Sequence, residues 1–422
     1  MTRVRYYTAD RLFLGGTRGH LRHGGVLVDH GTIRWVGPRR ELPGRLRRSS
    51  EQVDLGPLTL MPGFVDSHVH LALDGASGAM DRMRAASDEE LFALMLRNAA
   101  ELLSAGVTTA RDLGAPGGLG VRVRETIRSG RAPGPELLVS GAPLTTPGGH
   151  CWFMGGACLG EAALRRAVRE QARSGVSVIK VMATGGALTD GSSSWQGQFT
   201  GPELAAVVDE AGRAGLPVAA HAHGSGGIAA ALRAGVHTIE HCSFLDPSGV
   251  IAPEPELVRA LAAADVHVCP TISVRFSARL EQPDPHRPPI RPALPVLYRH
   301  GVRIIAGTDA GTDGTPHHAY VEGLIGMARL GVPPARVLES ATSQAARALR
   351  VATLTGRIAP GLRADLIAVE GDPLRDITAL RELRFILSRG AEITPRVRTD
   401  VPGRDRDRDR GTGTSNRPLS NR

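Results

Sequence analysis

Lysine is almost missing from this chain: of its 51 basic residues, 50 are arginine and one, Lys180, is lysine. Cysteine is scarce too, and Cys151, Cys158, Cys242 and Cys269 include no C-x-x-C pair. That spacing argues against a zinc knuckle or a disulfide framework and fits a reducing compartment. No apolar run reaches the length of a membrane span, and Met1-Thr-Arg-Val-Arg-Tyr lacks the apolar stretch that follows the basic end of a secretory signal. A cytoplasmic protein with no membrane partner is expected. Aromatics are only 4% of residues and the arginines behind the +9 net charge are scattered among acids. The charge therefore reads as a solvated surface, and no nucleic-acid partner is expected.

What is present is a long chain with an ordinary apolar share, 422 residues at 41% hydrophobic, enough for a large core. Its first stretch, to about residue 60, alternates β-formers between glycine and proline: Arg11-Leu-Phe-Leu, Gly25-Val-Leu-Val and Gly31-Thr-Ile-Arg-Trp-Val-Gly. A small sheet is expected there. From Met61 to about residue 350, strands and helices alternate as in parallel βαβ units. The strand candidates are Met61 to Asp66, Val107 to Asp112, Leu137 to Gly141, Val176 to Ala183, Pro217 to His221, Val236 to His241, Val266 to Ile272 and Val302 to Asp309. Eight parallel strands are the number that closes an α/β barrel. Ser87-Asp-Glu-Glu90 and Thr200-Gly-Pro-Glu203 read as capping boxes that open two of the helices. Strand-like sequence returns from Gly356 to about Val369, so both chain ends are expected to share one small domain. The boundaries are then 1–60 plus 351–396 for that domain and 61–350 for the barrel. Residues 397–422, an Arg-Asp alternation with little to bury, are expected to be disordered.

The lone lysine sits in the apolar run Val178-Ile-Lys180-Val-Met. Arginine serves solubility, ion pairs and anion binding at least as well, so the choice points to an amine that can lose its proton. Such an amine is a nucleophile toward a carbonyl, as a Schiff base, or toward carbon dioxide. The bland alternative is an amine snorkelling from a strand end. Other strand candidates end in ligand-type side chains: His68-Val-His70, His221, His241 and Asp309. At the carboxyl ends of barrel strands these would converge on one face. Two imidazoles two residues apart on an extended chain point the same way and can clasp one ion. Taken singly, each is ordinary: a core histidine, or an aspartate that caps a helix. The set is not.

The runs Met61-Pro-Gly-Phe-Val-Asp-Ser-His68-Val-His70-Leu, Ile179-Lys180-Val-Met-Ala-Thr-Gly-Gly, Ala220-His221-Ala-His223-Gly, Ile239-Glu-His241 and Gly307-Thr-Asp309-Ala-Gly resemble the amidohydrolase superfamily of metal-dependent hydrolases. The likeness spans nearly all of residues 1 to 390 and is nearest to the prolidase-like and imidazolonepropionase-like branch. It implies an α/β fold: a distorted (β/α)8 TIM barrel joined to a small β-sandwich formed by both chain ends. It also implies that Lys180 is carboxylated and bridges two divalent ions. His68, His70 and Asp309 would hold one, and His221 and His241 the other. Zinc suits the histidine-rich set best, and manganese, iron and cobalt occupy similar sites. A metal-bridging hydroxide would attack the amide, with Asp309 carrying its proton to the leaving amine.

His223 matches the second histidine of the fifth-strand motif and is expected to face the substrate; support of a ligand by hydrogen bonding is the other reading. His150, in Pro147-Gly-Gly-His150-Cys, is expected to contact substrate as well. The activity implied is cleavage of an amide C–N bond in a small molecule such as a dipeptide, an N-acyl amino acid or a lactam. The alternatives are a mononuclear deaminase or imidazolonepropionase-like cyclic amide hydrolase, an enzyme using Lys180 as a Schiff base, and a metal-free barrel scaffold. The expected partners are the substrate and further copies of the same chain. Arg275 to Pro295 departs from the family in its proline and arginine content and should border the site. The Gly-rich loop Ala183 to Asp190 reads as a flexible rim, and His317-His318 as a helix start or a surface pair.

Overall fold

The computed structural model describes residues 4–16, 19–281 and 292–396. The disorder expected of residues 397–422 lies outside the described residues. The alternating amino-terminal stretch folds as β1 (Arg5–Phe13), β2 (His20–Asp29), β3 (Thr32–Pro38), β4 (Glu51–Asp54) and β5 (Thr59–Pro62). The strand–helix alternation follows as β6 (Phe64–Val69), β7 (Val107–Asp112), β8 (Glu136–Val139), β9 (Ile179–Met182), β10 (Val218–Ala222), β11 (Thr238–His241), β12 (His267–Cys269) and β13 (Arg303–Ile304), and the chain returns through β14 (Leu366–Val369), β15 (Leu383–Ser388) and β16 (Ala391–Ile393).

Strands from both ends share one eight-stranded sheet, in the order β16-β15-β14-β5-β1-β2-β3 with β4 also paired to β1. Its apolar residues, among them Tyr7, Leu12, Val26, Ile33, Leu366 and Leu387, form a buried cluster of their own. The other strands make two all-parallel sheets, β6-β7-β8 and β13-β12-β11-β10-β9. Single parallel bridges, Leu144↔Val181 and Val69↔Ala310, link the two sheets on either side. The parallel strands are buried almost throughout, as strands covered on both faces must be.

The segment Met61 to Asp66 is not one strand, as the sequence suggested. It divides at Gly63, whose N–H bonds Asp365 O at 2.9 Å on the β14 side, while Phe64 N bonds Gly106 O at 3.0 Å on the β7 side. A Cβ at Gly63 would lie 2.2 Å from Thr108 Oγ1, so only glycine lets the chain change sheets at this point. The eighth strand candidate also shortens, to two residues, because Ala306 N turns to Ser340 O and Asp309 N to His68 O instead of continuing the ladder.

Both capping boxes form: Ser87 and Glu90 exchange bonds at the start of the helix Asp88–Ser104, and Thr200 and Glu203 do so at Gly201–Arg213. Each satisfies two amino-terminal N–H groups and fixes where the helix begins. Among the described residues no helix is long and apolar enough to cross a membrane.

Candidate metal centre

Within each parallel sheet the strands run the same way, and the histidine-bearing carboxyl ends of β6, β10 and β11 come together. His68 is the penultimate residue of β6 and His70 follows it; Lys180 lies in β9, His221 in β10 with His223 just beyond, and His241 ends β11. Asp309 sits in the turn after β13. Two groups of ligand atoms result, His68/His70/Asp309 and His221/His223/His241, each with its atoms within 4.8 Å of one another. Asp309 Oδ1 is 3.4 Å from His68 Nε2 and 3.1 Å from His70 Nε2. The groups adjoin, since the His68 and His241 ring centroids are 5.2 Å apart.

Strand pairing explains some of this and backbone strain explains the rest. Register sets Lys180 beside Ala219 and His221 beside Glu240, so the inward face carries Lys180, His221 and Glu240 and leaves His241 facing the other way. His241 joins the cluster because its backbone is left-handed, with φ of 67°, which reverses the alternation at the strand end. Cys242, Thr271 and Asp309 share this region at φ of 47°, 49° and 60°. A non-glycine residue held there is strained by about 1 kcal/mol or more, and such strain collects at functional sites.

Most of the imidazoles are tied at one nitrogen. His68 Nδ1 meets Glu240 Oε2 at 3.0 Å, His223 Nδ1 meets Ser243 Oγ at 2.8 Å and His241 Nδ1 meets Thr271 Oγ1 at 2.9 Å, while His221 is held through Nε2 by Gly185 O at 2.9 Å. A histidine fixed through one nitrogen presents the other as a lone pair. Burial first, then neighbouring positive charge, holds these rings neutral: His68 and His223 fall to about 4, and His221 and His241 go well below the ordinary value. Burial pushes Asp309 the other way, but His68, His70 and Lys180 hold its carboxyl well below the usual range. The site thus offers neutral imidazoles and an ionised carboxylate at neutral pH.

Lys180 is the unusual member. It is 1% exposed, its Nζ has no hydrogen-bond partner, and burial lowers it from 10.5 to about 8 against the pull of Glu240 and Asp309. Its charge bears on His68, His221, His223, His241 and Asp309, members of both groups. An unpaired buried ammonium is expensive. The donor set fits divalent cations, because it combines imidazole nitrogens and a carboxylate with an amine that can become an anionic ligand.

His150 lies against this cluster, its ring centroid 4.7 Å from that of His221, and burial with His223 and Lys180 lowers it to about 3. The Gly-rich stretch is more than a flexible rim: Gly185 O anchors His221, and a Cβ at Gly186 would come within 2.4 Å of His150 Nε2. His317 and His318 open a 3-10 helix, but His317 is no surface residue; it is buried, with Nε2 3.3 Å from His70 O. Of the Arg275 to Pro295 segment, residues 282–291 lie outside the described residues, and Arg275 Nη1 bonds Asp313 O at 2.7 Å.

Sequence reasoning missed Glu240, Arg111 and Asp66. Glu240 pairs with His68 and, at 2.8 Å, with Arg111. Asp66 accepts from His68 N and Thr308 N, both at 3.2 Å, and from Thr308 Oγ1 at 2.7 Å, so it stitches the His68 strand to the Asp309 turn. Cys269 groups with His68 and Glu240, but burial raises its thiol well above 9.0, which keeps it a neutral and poor ligand.

Residues 59–394 match the Amidohydrolase family. The chain is 30% identical over 414 residues to ochratoxinase of Aspergillus niger, covering 89% of this chain and 83% of the relative. It is 28% identical over 387 residues to imidazolonepropionase of Salinispora tropica, covering 84% and 88%. A solved structure of a Xaa-Pro dipeptidase with bound methionine in the active site superposes with a TM-score of 0.80 at 28% identity, covering 92% of this chain and 99% of that one. The chain therefore belongs to the amidohydrolase family, and it is a metal-dependent hydrolase acting on carbon–nitrogen bonds.

Proposed function

We propose that this chain is a binuclear hydrolase that cleaves the amide bond of a small molecule, a dipeptide, N-acyl amino acid or lactam. The observation that carries the reading is Lys180 Nζ, buried without a partner while its charge bears on both histidine groups. Loss of one proton from the buried ammonium frees the Nζ lone pair, and addition of carbon dioxide then forms an N–C bond and releases a second proton, so that a carbamate replaces the unpaired cation. With that anion beside them, His68, His70 and Asp309 would hold one divalent cation and His221 and His241 the other. Divalent cations, zinc for preference, supply Lewis acidity that polarises the amide carbonyl and lowers the pKa of water.

The protein's own groups do the rest. Asp309 takes a proton at its carboxylate from the attacking water and returns it to the leaving amine. His223 has Nδ1 committed to Ser243 and so turns Nε2 toward the substrate. His150, seated under Gly186, limits how far the substrate can enter. The names of the structural relatives, a Xaa-Pro dipeptidase and a prolidase complexed with N-methylphosphonate-L-proline, favour a dipeptide-sized amide.

We also infer that β6 to β13 close as a (β/α)8 barrel, bounded by the sequence at 61–350 but starting at Phe64 because Met61 and Pro62 belong to β5, beside a β-sandwich of the chain ends, 1–62 and 351–396. The bridges on either side of the two parallel sheets support closure, and the separate apolar cluster supports a second unit. A cytoplasmic homo-oligomer completes the proposal; four free cysteines support the reducing compartment, and sedimentation measures the oligomer.

The test is chelator-stripped protein reloaded with zinc or manganese and assayed on Xaa-Pro and other dipeptides, N-acyl amino acids and lactams. Metal-dependent hydrolysis with two ions per chain is expected. Full activity with one tightly bound ion would transfer the reading to a mononuclear hydrolase.

A further inference from the structure

The carboxylate of Glu240 is fully buried at the end of β11, and each of its oxygens has a distinct task. Oε2 faces His68 Nδ1 at 3.0 Å, while Oε1 accepts from Arg111 Nη2 at 2.8 Å and from Thr238 Oγ1 at 2.5 Å. Arg111, also buried, donates from its other two nitrogens to Ser67 O, Nε at 2.8 Å, and to Thr238 Oγ1, Nη1 at 3.0 Å. A guanidinium keeps its charge, so the carboxylate beside it stays ionised and can only accept. His68 Nδ1 must then carry the proton. Its Nε2, 3.3 Å from His70 Nε2 and 3.4 Å from Asp309 Oδ1, is left as a lone pair aimed at the ligand group.

We propose that Arg111 and Glu240 are a positioning pair that fixes the tautomer and orientation of His68 and so sets the affinity of the His68/His70/Asp309 group for a divalent cation. The inference rests on the metal reading above. The pair is neutral as a whole, so it polarises His68 without adding net charge, and it joins β7 of one parallel sheet to β11 of the other. Either residue alone would be a buried, uncompensated charge. Together they make the imidazole a better base, as carboxylates behind metal-ligating histidines do.

Two measurements test the pair and separate it from the metal reading. In metal-free wild-type protein, 15N spectra of labelled histidine, with His68→Gln identifying the resonance, should show the Nδ1–H tautomer at His68. An Nε2–H tautomer overturns the inference whatever the protein does with metal. In Glu240→Gln the amide can turn its NH2 toward Nδ1 and release that tautomer. Zinc affinity, measured by competition with a chromophoric chelator, should then fall about 10- to 100-fold at one site and stay unchanged at the other.

Because Glu240→Gln strands Arg111, the double variant Arg111→Met/Glu240→Gln replaces the ion pair with neutral side chains of similar shape. It should keep the melting temperature of the metal-free protein and still bind the one zinc more weakly. Wild-type affinity in the double variant overturns the proposal. A wild-type protein that takes up no metal ends the metal reading instead, and the tautomer spectrum still decides what Glu240 does to His68.

Discussion

Replacing Lys180 with methionine should stabilise the metal-free protein while destroying its function. The lowering of the amine from 10.5 to about 8, caused by burial, converts at about 1.4 kcal/mol per pKa unit into about 3 kcal/mol lost on folding with the amine charged. The sign follows from linkage: a cation depressed in the folded state imposes its full penalty below about pH 8, and the penalty fades as pH climbs toward 10.5. Lys180→Met keeps the apolar stem and removes the charge. For 422 residues the unfolding entropy is about 0.9 kcal/mol/K, so the expected gain is about 4 °C in melting temperature at pH 7. The assay is thermal unfolding of both proteins in chelator-treated buffer free of carbon dioxide, at pH 7 and again near pH 10, where the difference should shrink. Divalent metal with bicarbonate should reverse the order, because methionine has no amine from which the proposed anionic ligand can form. Equal stability at pH 7, or a difference that does not change with pH, would refute the reasoning that a charged, unpaired amine is stored at this site.

Other substitutions read the remaining parts of the site. His223→Gln should lower kcat by about 100-fold or more with metal content unchanged, measured by steady-state kinetics alongside elemental analysis, since the proposal assigns this ring to substrate rather than metal. Gly186→Ala places a methyl group within 2.4 Å of His150 Nε2 and should raise KM more than it lowers kcat. Unchanged kinetics in that variant would remove His150 from substrate contact.

The sequence made the parallel strands and their ligand-bearing ends legible because buried parallel strands are short, continuous apolar runs, and His68, His70, His221 and Asp309 interrupt those runs at or just past their carboxyl ends, while Lys180 interrupts one from within. What it concealed depended on backbone geometry or on pairing. Alternation along β11 puts Glu240 inward, and this could have been read from Thr238-Ile-Glu-His had the register with β10 been known. His241 reaches the cluster only through a left-handed backbone that its residue type does not announce. Arg111 is one of 50 arginines in the sequence, and its partners, Ser67, Thr238 and Glu240, are brought to it only by the fold. The hairpin of β15 and β16 was hidden because its turn, Arg389-Gly390, has positive φ at both positions without the Asn-Gly or Asp-Gly that usually marks such turns.

The most direct test of the central claim is 13C NMR of the enzyme reconstituted with 13C-bicarbonate and zinc, with Lys180→Arg as control and metal counted in the same samples. Lys180 is the only lysine in the chain, so a carbamate signal from a side-chain amine is assigned without ambiguity. One carbamate resonance and two zinc ions per chain in the wild type, both lost in Lys180→Arg, is the result the account predicts. An active wild-type enzyme with no carbamate, or a Lys180→Arg variant that keeps both its metal and its activity, would contradict it.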